Sequence, residues 1–174
     1  TGHNAVWTFV ERLGNRVDMT VKTVGLVLSV SAFLTIGGPM LARVIDTRWG
    51  HIRPILCALA IKTVAVLSMI YIPTIWVYAV TVPIFLILAL FIVPYVMGIL
   101  SLADPAGRLA AASSAAMTAG GSLGAIIGGW TADTFGYPGL AWVATVFFLV
   151  VMVLALSIAP VLGRPVAMQD ADGP

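Results

Sequence analysis

Four long stretches without any charged residue constrain this chain more than any other feature of its sequence. They run over residues 23–42, 63–103, 109–132 and 134–163. A helix needs about 20 mostly apolar residues to cross the hydrocarbon core of a bilayer. The sequence therefore predicts an all-α integral membrane protein whose helices cross the bilayer several times.

The composition supports this prediction and excludes the common soluble classes. Apolar residues make up 60% of the 174 residues and charged residues only 9%. Soluble domains average about 45–50% and about 25% respectively. The net charge of +2 is better explained by charged loops than by nucleic-acid binding, so no nucleic-acid partner is expected. The single cysteine, Cys57, excludes a cysteine metal cluster, and we expect neither a metal nor another cofactor.

Glycines, prolines and charges divide the chain into six predicted spans. The second uncharged stretch is about two crossings long and is interrupted at Pro73, which indicates a turn between two helices. The first segment ends at Gly14 and rises only about 21 Å, so we expect residue 1 to lie inside a helix of a longer protein. The predicted transmembrane bundle covers 1–162, with spans near 1–14 (partial), 23–43, 54–72, 75–100, 108–131 and 138–161, and a mobile tail follows over 163–174.

The basic residues predict the orientation of the chain in a cell membrane, either plasma or inner. Cytoplasmic loops carry an excess of Lys and Arg. Five arginines fall on one side of the predicted spans and three basic residues on the other. The larger set therefore places the loop at 43–53, the loop at 101–108 and the C-terminus in the cytoplasm.

The span at 108–131 carries a stripe of small residues. Gly120, Gly124 and Gly128 recur every four residues, which places them on one face of a helix. Such stripes let membrane helices approach closely. Two interpretations stay open: the face serves helix packing alone, or it also lets one helix slide against another.

Four stretches of the sequence resemble one transporter family. They are Trp7-Thr8-Phe9-Val10-Glu11-Arg12-Leu13-Gly14, Ala42-Arg43-Val44-Ile45-Asp46-Thr47-Arg48-Trp49-Gly50-His51-Ile52-Arg53-Pro54, Ala103-Asp104-Pro105-Ala106-Gly107-Arg108 and Gly120-Gly121-Ser122-Leu123-Gly124-Ala125-Ile126-Ile127-Gly128-Gly129. In order and spacing they are similar to the C-terminal six-helix half of a major facilitator superfamily transporter. The resemblance implies helices seven to twelve, the first one truncated, and a partner in the missing N-terminal six-helix half.

The resemblance also implies a cytoplasmic gate loop. Its residues in this sequence are Asp46, Arg48, Gly50 and Arg53, and the charged ones would form pairs that break and reform as the transporter changes state. Surface pairs of this kind contribute only about 0–1 kcal/mol, which suits a gate. The alternative is that the arginines are cytoplasmic anchors only. For the turn with Asp104 and Arg108, a role in starting the next helix is favoured, because Asp suits an N-cap.

Several polar residues are candidates for a central substrate or proton cavity. His3, Trp7 and Glu11 share one helical face, and His3 lies about 16 Å from the Gly14 end, near mid-membrane. Substrate sites of such transporters lie at that level. A histidine there could carry a coupling proton, whereas Glu11 could instead lie at the outer interface. Further cavity candidates are Asn4, Ser29, Tyr95, Met117 and Thr118.

Lys62 is the other charged residue inside a predicted span. It lies about 12 Å beyond Pro54 along the helix. Its side chain can reach back to the cytoplasmic interface, or it can form a structural pair inside the bundle. The sequence leaves both alternatives open.

Together these patterns predict part of a secondary active transporter. It would move a small solute across the lipid bilayer by alternating access, with protons as the expected coupling ion. It would not be an enzyme, because the chain's two histidines, His3 and His51, fall in different regions and form no catalytic cluster. The alternatives are a membrane-embedded enzyme and a channel or structural subunit.

Overall fold

A computed structural model of the chain describes residues 2–17, 19–45, 50–104 and 106–162. All the regular secondary structure in these residues is helical. In chain order the helices are α1 Gly2–Trp7, α2 Val10–Asn15, α3 Val21–Leu34, α4 Gly37–Ile45, α5 Ile52–Tyr71, α6 Ile75–Ala103 and α7 Arg108–Leu162. The predicted tail at 163–174 lies outside the described residues.

Four helical stretches are long and apolar enough to cross a membrane. They are Val21–Ile45, Ile52–Tyr71, Ile75–Ala103 and Ala111–Ala159. The prediction of an all-α chain with helices of membrane-spanning length is therefore confirmed. The two short helices α1 and α2 precede these stretches and occupy the region of the predicted partial span.

Two predicted spans are interrupted in the structure. Residues 8–9 separate α1 from α2, and residues 35–36 separate α3 from α4. At each break a threonine hydroxyl bonds to the preceding turn: Thr8 Oγ1 donates to the Asn4 carbonyl at 2.8 Å, and Thr35 Oγ1 donates to the Ala32 carbonyl at 2.5 Å. Hydroxyl groups that bond back in this way compete with the helix ladder and bend helices.

The longest helix, α7, folds back on itself at Gly136. Its backbone φ there is +69°, a conformation that glycine adopts without steric cost. Residues 128 and 144 would lie about 24 Å apart on a straight helix. A side-chain carbon added at Gly128 would nevertheless meet Ala5, and one added at Gly2 would meet the Ala144 carbonyl. Residues 108–135 therefore form an N-terminal limb and residues 137–162 a C-terminal limb, and both limbs lie along α1.

The core lies where α5, α6 and the C-terminal limb of α7 meet α1. Its most buried large side chains include Val66, Tyr78 and Phe85. Two tyrosines of α6 tie the ends of this core to other helices. The Tyr78 hydroxyl donates to the Val10 carbonyl at 2.9 Å, and the Tyr95 hydroxyl donates to the Ala42 carbonyl at 3.2 Å. The Ala42 carbonyl lies in the last turn of α4, where the helix ladder leaves carbonyl groups without a partner.

Candidate functional site

Lys62 is buried inside the bundle rather than extended to an interface. Its side chain is only 3% exposed, on the face of α5 that packs into the core. Its Nζ atom lies 3.3 Å from Nδ1 of His3 on α1, within hydrogen-bonding distance. Of the two alternatives that the sequence leaves open, the structure shows the pair and not the extension to the interface.

Aromatic rings cover the Lys62 ammonium on two sides. Its Nζ atom lies 4.6 Å from the ring centroid of Phe85 on α6 and 5.4 Å from that of Phe148 on the C-terminal limb of α7. The His3 ring stacks on Phe85 with centroids 4.6 Å apart. A cation over an aromatic face is stabilised by the ring quadrupole. Four elements therefore meet at one buried lysine side chain, and we call His3, Lys62, Phe85 and Phe148 the lysine cluster.

Hydrogen bonding limits the charge of the lysine cluster. A bond between the His3 and Lys62 nitrogens needs one donor hydrogen and one acceptor lone pair. A protonated imidazole facing an ammonium group offers only donors on both sides. The bonded pair therefore carries at most one positive charge. Burial of a single charge among apolar groups is costly unless polar or ionic partners compensate it.

A cavity of about 520 Å³ adjoins the lysine cluster. This volume lies within the usual range for small-molecule sites, about 300–1,000 Å³. His3 and Lys62 supply the ionisable groups of its wall, and the other described lining residues are apolar. They are Gly2, Leu59, Ala89, Leu90, Ile92, Val93, Val96, Met97, Met117, Phe147, Phe148 and Val151.

The structure brings together only some of the predicted cavity residues. His3 and Met117 both line the cavity, although the Met117 side chain remains 59% exposed overall. Asn4 is not among the lining residues and instead packs on the N-terminal limb of α7, where its amide nitrogen would meet a side-chain carbon added at Gly121. Tyr95 is buried and bonds to Ala42 instead.

The remaining predicted cavity residues lie away from the lysine cluster. Trp7, Glu11, Ser29 and Thr118 are exposed on the surface of the described bundle, and none of the four lines the cavity. The Thr118 hydroxyl donates to the Ser114 carbonyl of its own helix at 3.0 Å. Hydroxyl groups on membrane helices commonly bond to their own helix in this way.

The predicted gate loop is only partly described. Asp46 and Arg48 lie outside the described residues. Gly50 has a left-handed backbone φ of +72°, which favours glycine, and Arg53 is exposed in the first turn of α5.

The turn before α7 is ordered by its aspartate. Asp104 Oδ1 accepts the N–H of Ala106 at 3.1 Å, and its Oδ2 accepts the N–H of Leu109 at 2.9 Å. A carboxylate that accepts backbone N–H groups at a helix start satisfies donors that the helix leaves free. Arg108 is exposed as the first residue of α7.

The glycine stripe of the N-terminal limb packs at one end only. Gly124 and Gly128 are buried, whereas Gly120 is half-buried. A side-chain carbon at Gly128 would lie 2.9 Å from the Ala5 carbonyl oxygen, so this glycine permits backbone contact with α1. Nearer the start of the limb, at residues 111–119, only Ser113 is shielded even partly.

Sequence reasoning missed Phe85 and Phe148 and left the place of Lys62 open. Both rings stand in helices that are apolar on every side, so no periodic pattern marks the face that points inward. His3 is 59 residues away from Lys62 along the chain, and no local pattern links them. The one usable signal was a lone lysine within a span, because such residues usually face the bundle interior.

Comparison with known proteins gives no assignment. No family model matches the sequence, and neither a curated protein nor a solved structure does. A function for the chain is therefore inferred from its own residues and their geometry.

Proposed function

We propose that this chain is the C-terminal six-helix half of a secondary active transporter of the major facilitator type. It moves a small solute across the cell membrane by alternating access. The observation that supports this most is the cavity of about 520 Å³ beside the contact between Lys62 and His3, since most of its lining residues belong to helices of membrane-spanning length. Ionisable residues at membrane depth are rare and usually mark the path of a substrate or proton.

An N-terminal six-helix half is the proposed partner of this bundle. Support comes from the N-terminal limb of α7, where Ser114, Thr118 and Ser122 are exposed on a helix rich in alanine and glycine. A surface that only meets lipid does not need small residues, whereas close approach of another helix does. The two halves would enclose the solute between them and rock against each other, with the C-terminus on the cytoplasmic side.

Protons are the proposed coupling ion. Support comes from the direct contact of two groups that exchange protons, since the Lys62 and His3 nitrogens lie 3.3 Å apart. A proton added to or removed from this pair changes the charge that the cavity presents. Solute and proton would therefore bind in a linked manner.

The test uses the intact protein, with both halves, in vesicles that contain a trapped pH indicator. A panel of solutes is added under an imposed pH gradient. We expect one solute class to drive proton movement, and we expect Lys62→Met to abolish that movement. Lys22→Met is the matched control, because Lys22 is exposed at the start of α3 and should leave the response unchanged.

Two results would contradict the proposal. Ion currents that need no solute and continue in Lys62→Met would indicate a channel. Conversion of a solute to a new product, without its movement across the membrane, would indicate an enzyme. In either case the cavity would have a role other than alternating access.

A further inference from the structure

We infer that the cavity beside Lys62 binds an amphipathic organic monoanion, whose anionic end contacts the Lys62 ammonium and whose apolar part fills the rest of the space. The inference rests on the proposed function for one statement only, that this anion is the solute moved. Binding itself is a property of the site and can be measured without transport.

The described residues provide no counterion for Lys62 at the cavity. None of the described residues that line it is Asp or Glu. The groups placed around the ammonium are the His3 ring, which offers a hydrogen bond, and the Phe85 and Phe148 rings, which offer only their π-faces. A buried charge normally has an ionic partner, and a bound anion would supply the one that the described lining residues do not provide.

The charge of the Lys62 and His3 pair determines the charge expected of the ligand. While hydrogen-bonded, the Lys62 and His3 pair carries at most one positive charge. One negative charge on the ligand neutralises it. A dianion would bring an uncompensated charge into an apolar pocket, and a cationic ligand would meet a like charge at close range.

The rest of the described cavity wall is apolar and favours a ligand with an apolar part. Met97, Met117, Val93 and Phe147 are among the apolar lining residues. Flexible methionines adapt to apolar groups of irregular shape. A wall with one charged end and an otherwise apolar surface fits a ligand with one anionic end and an apolar remainder. A volume of about 520 Å³ accommodates a ring system with a short substituent.

The experiment measures binding to the purified intact protein in detergent by titration calorimetry. The probe is naphthalenesulfonate, which stays a monoanion at every accessible pH. Its neutral counterpart, naphthalenesulfonamide, has the same ring system and nearly the same size. We expect the sulfonate to bind at least tenfold more tightly, a difference of about 1.4 kcal/mol.

Two lysine variants locate the binding. Lys62→Met should weaken sulfonate binding at least tenfold and leave sulfonamide binding unchanged. Lys62→Arg, which keeps the charge, should restore part of the preference for the anion. Lys22→Met should bind both probes as the unchanged protein does, because it removes a lysine that is exposed on α3.

A thermal unfolding curve of each variant separates binding from folding. Lys62→Met should remain folded, because replacing buried ionic groups by apolar ones of similar volume is often neutral or stabilising. If Lys62→Met does not fold, Lys62→Arg and the comparison of the two probes still decide the question.

The outcomes separate this inference from the proposed function. Equal binding of sulfonate and sulfonamide, or sulfonate binding that survives in folded Lys62→Met, would overturn the inference. Sulfonate binding that needs Lys62 supports the inference, even in a protein that moves no solute. That result would contradict the proposed transport function and leave the inferred binding site supported.

Discussion

The two limbs of α7 have nearly the same length, yet they meet the bundle in different ways. The C-terminal limb buries a continuous face that includes Leu140, Ala141, Ala144 and Phe148, and it exposes large aliphatic residues on its other side. The N-terminal limb packs on α1 near Gly128 and leaves its earlier turns open.

The difference lies in the type of residue that each limb exposes. The open face of the C-terminal limb carries Val146, Leu149, Val150 and Val153, which suit contact with lipid tails. The open turns of the N-terminal limb carry mainly alanine, serine and threonine. Exposed small residues permit a second helix surface to approach. This difference fits our proposal that one limb meets lipid and the other meets the N-terminal half of the transporter.

The largest expected effect comes from removing a ring on the packed limb. Phe148→Ala should lower the free energy of unfolding by about 3 kcal/mol, because it leaves a void beside Lys62. Phe135→Ala is the control, since Phe135 is 62% exposed, whereas Phe148 is 4% exposed. Phe135→Ala should change stability by less than about 0.5 kcal/mol. Chemical unfolding in mixed detergent measures both, and equal losses would remove the distinction between the limbs.

A smaller effect tests the packed end of the N-terminal limb. Gly128→Ala should destabilise the bundle by about 2 kcal/mol, because the added carbon meets the backbone of Ala5, which cannot move aside. Gly129→Ala adds the same carbon where, apart from its chain neighbours and its own helix backbone, no atom of the described residues lies within 4 Å. It should be neutral or stabilising by up to about 1 kcal/mol. The two melting temperatures should therefore differ, and indistinguishable values would contradict contact between this limb and α1.

A buried threonine in each limb gives effects of opposite sign. Thr145 Oγ1 is buried with no hydrogen-bond partner among the described residues, whereas Thr131 Oγ1 donates to the Ile127 carbonyl at 2.6 Å. Thr145→Val should raise the free energy of unfolding by about 1 kcal/mol, because it removes an unpaired polar group. Thr131→Val should lower it by a similar amount. Calorimetric unfolding of the two variants checks the signs, and a loss of stability in Thr145→Val would indicate a partner for its hydroxyl.

The smallest effect on stability is expected at the open turns, where function should respond instead. Ser122→Leu and Ser157→Leu both replace an exposed serine, one on each limb. Each should change the unfolding free energy by less than about 0.5 kcal/mol. Only Ser122→Leu should reduce solute-driven proton movement in the intact protein, because leucine would block the approach of the other half. Equal activity of the two variants would argue against a protein surface at this limb.

The sequence was sufficient to predict where the apolar helices lie, since helices of membrane-spanning length need long stretches without charge. It also predicted separate spans near 108–131 and 138–161, on either side of Gly136, because Asp133 divides the two uncharged stretches. The breaks at residues 8–9 and 35–36 were not predicted. At each break a threonine hydroxyl bonds to the backbone. Most threonines on these helices make the same bond without a break, so a threonine in the sequence does not indicate where a helix is interrupted.

The lysine cluster shows why the site itself was harder to predict. A residue on a helix that is apolar all round can face lipid or the core, and hydropathy does not distinguish them. The inward position of Lys62 depends on how α1, α5 and α6 pack together, which is a tertiary property. Of the predicted cavity residues, His3 and Met117 lie at the cavity because they also face this junction, whereas Glu11 and Ser29 face outward.

The most direct test of the account is the accessibility of the two lysines, because the chain contains only Lys22 and Lys62. The intact protein in membranes is treated with a water-soluble amine-acetylating reagent, and mass spectrometry measures modification at each lysine. The account predicts extensive modification of the exposed Lys22, little modification of Lys62, and still less at Lys62 when naphthalenesulfonate is bound. Modification of Lys62 to the same extent as Lys22, unchanged by the anion, would place its amine at the membrane interface and contradict the account.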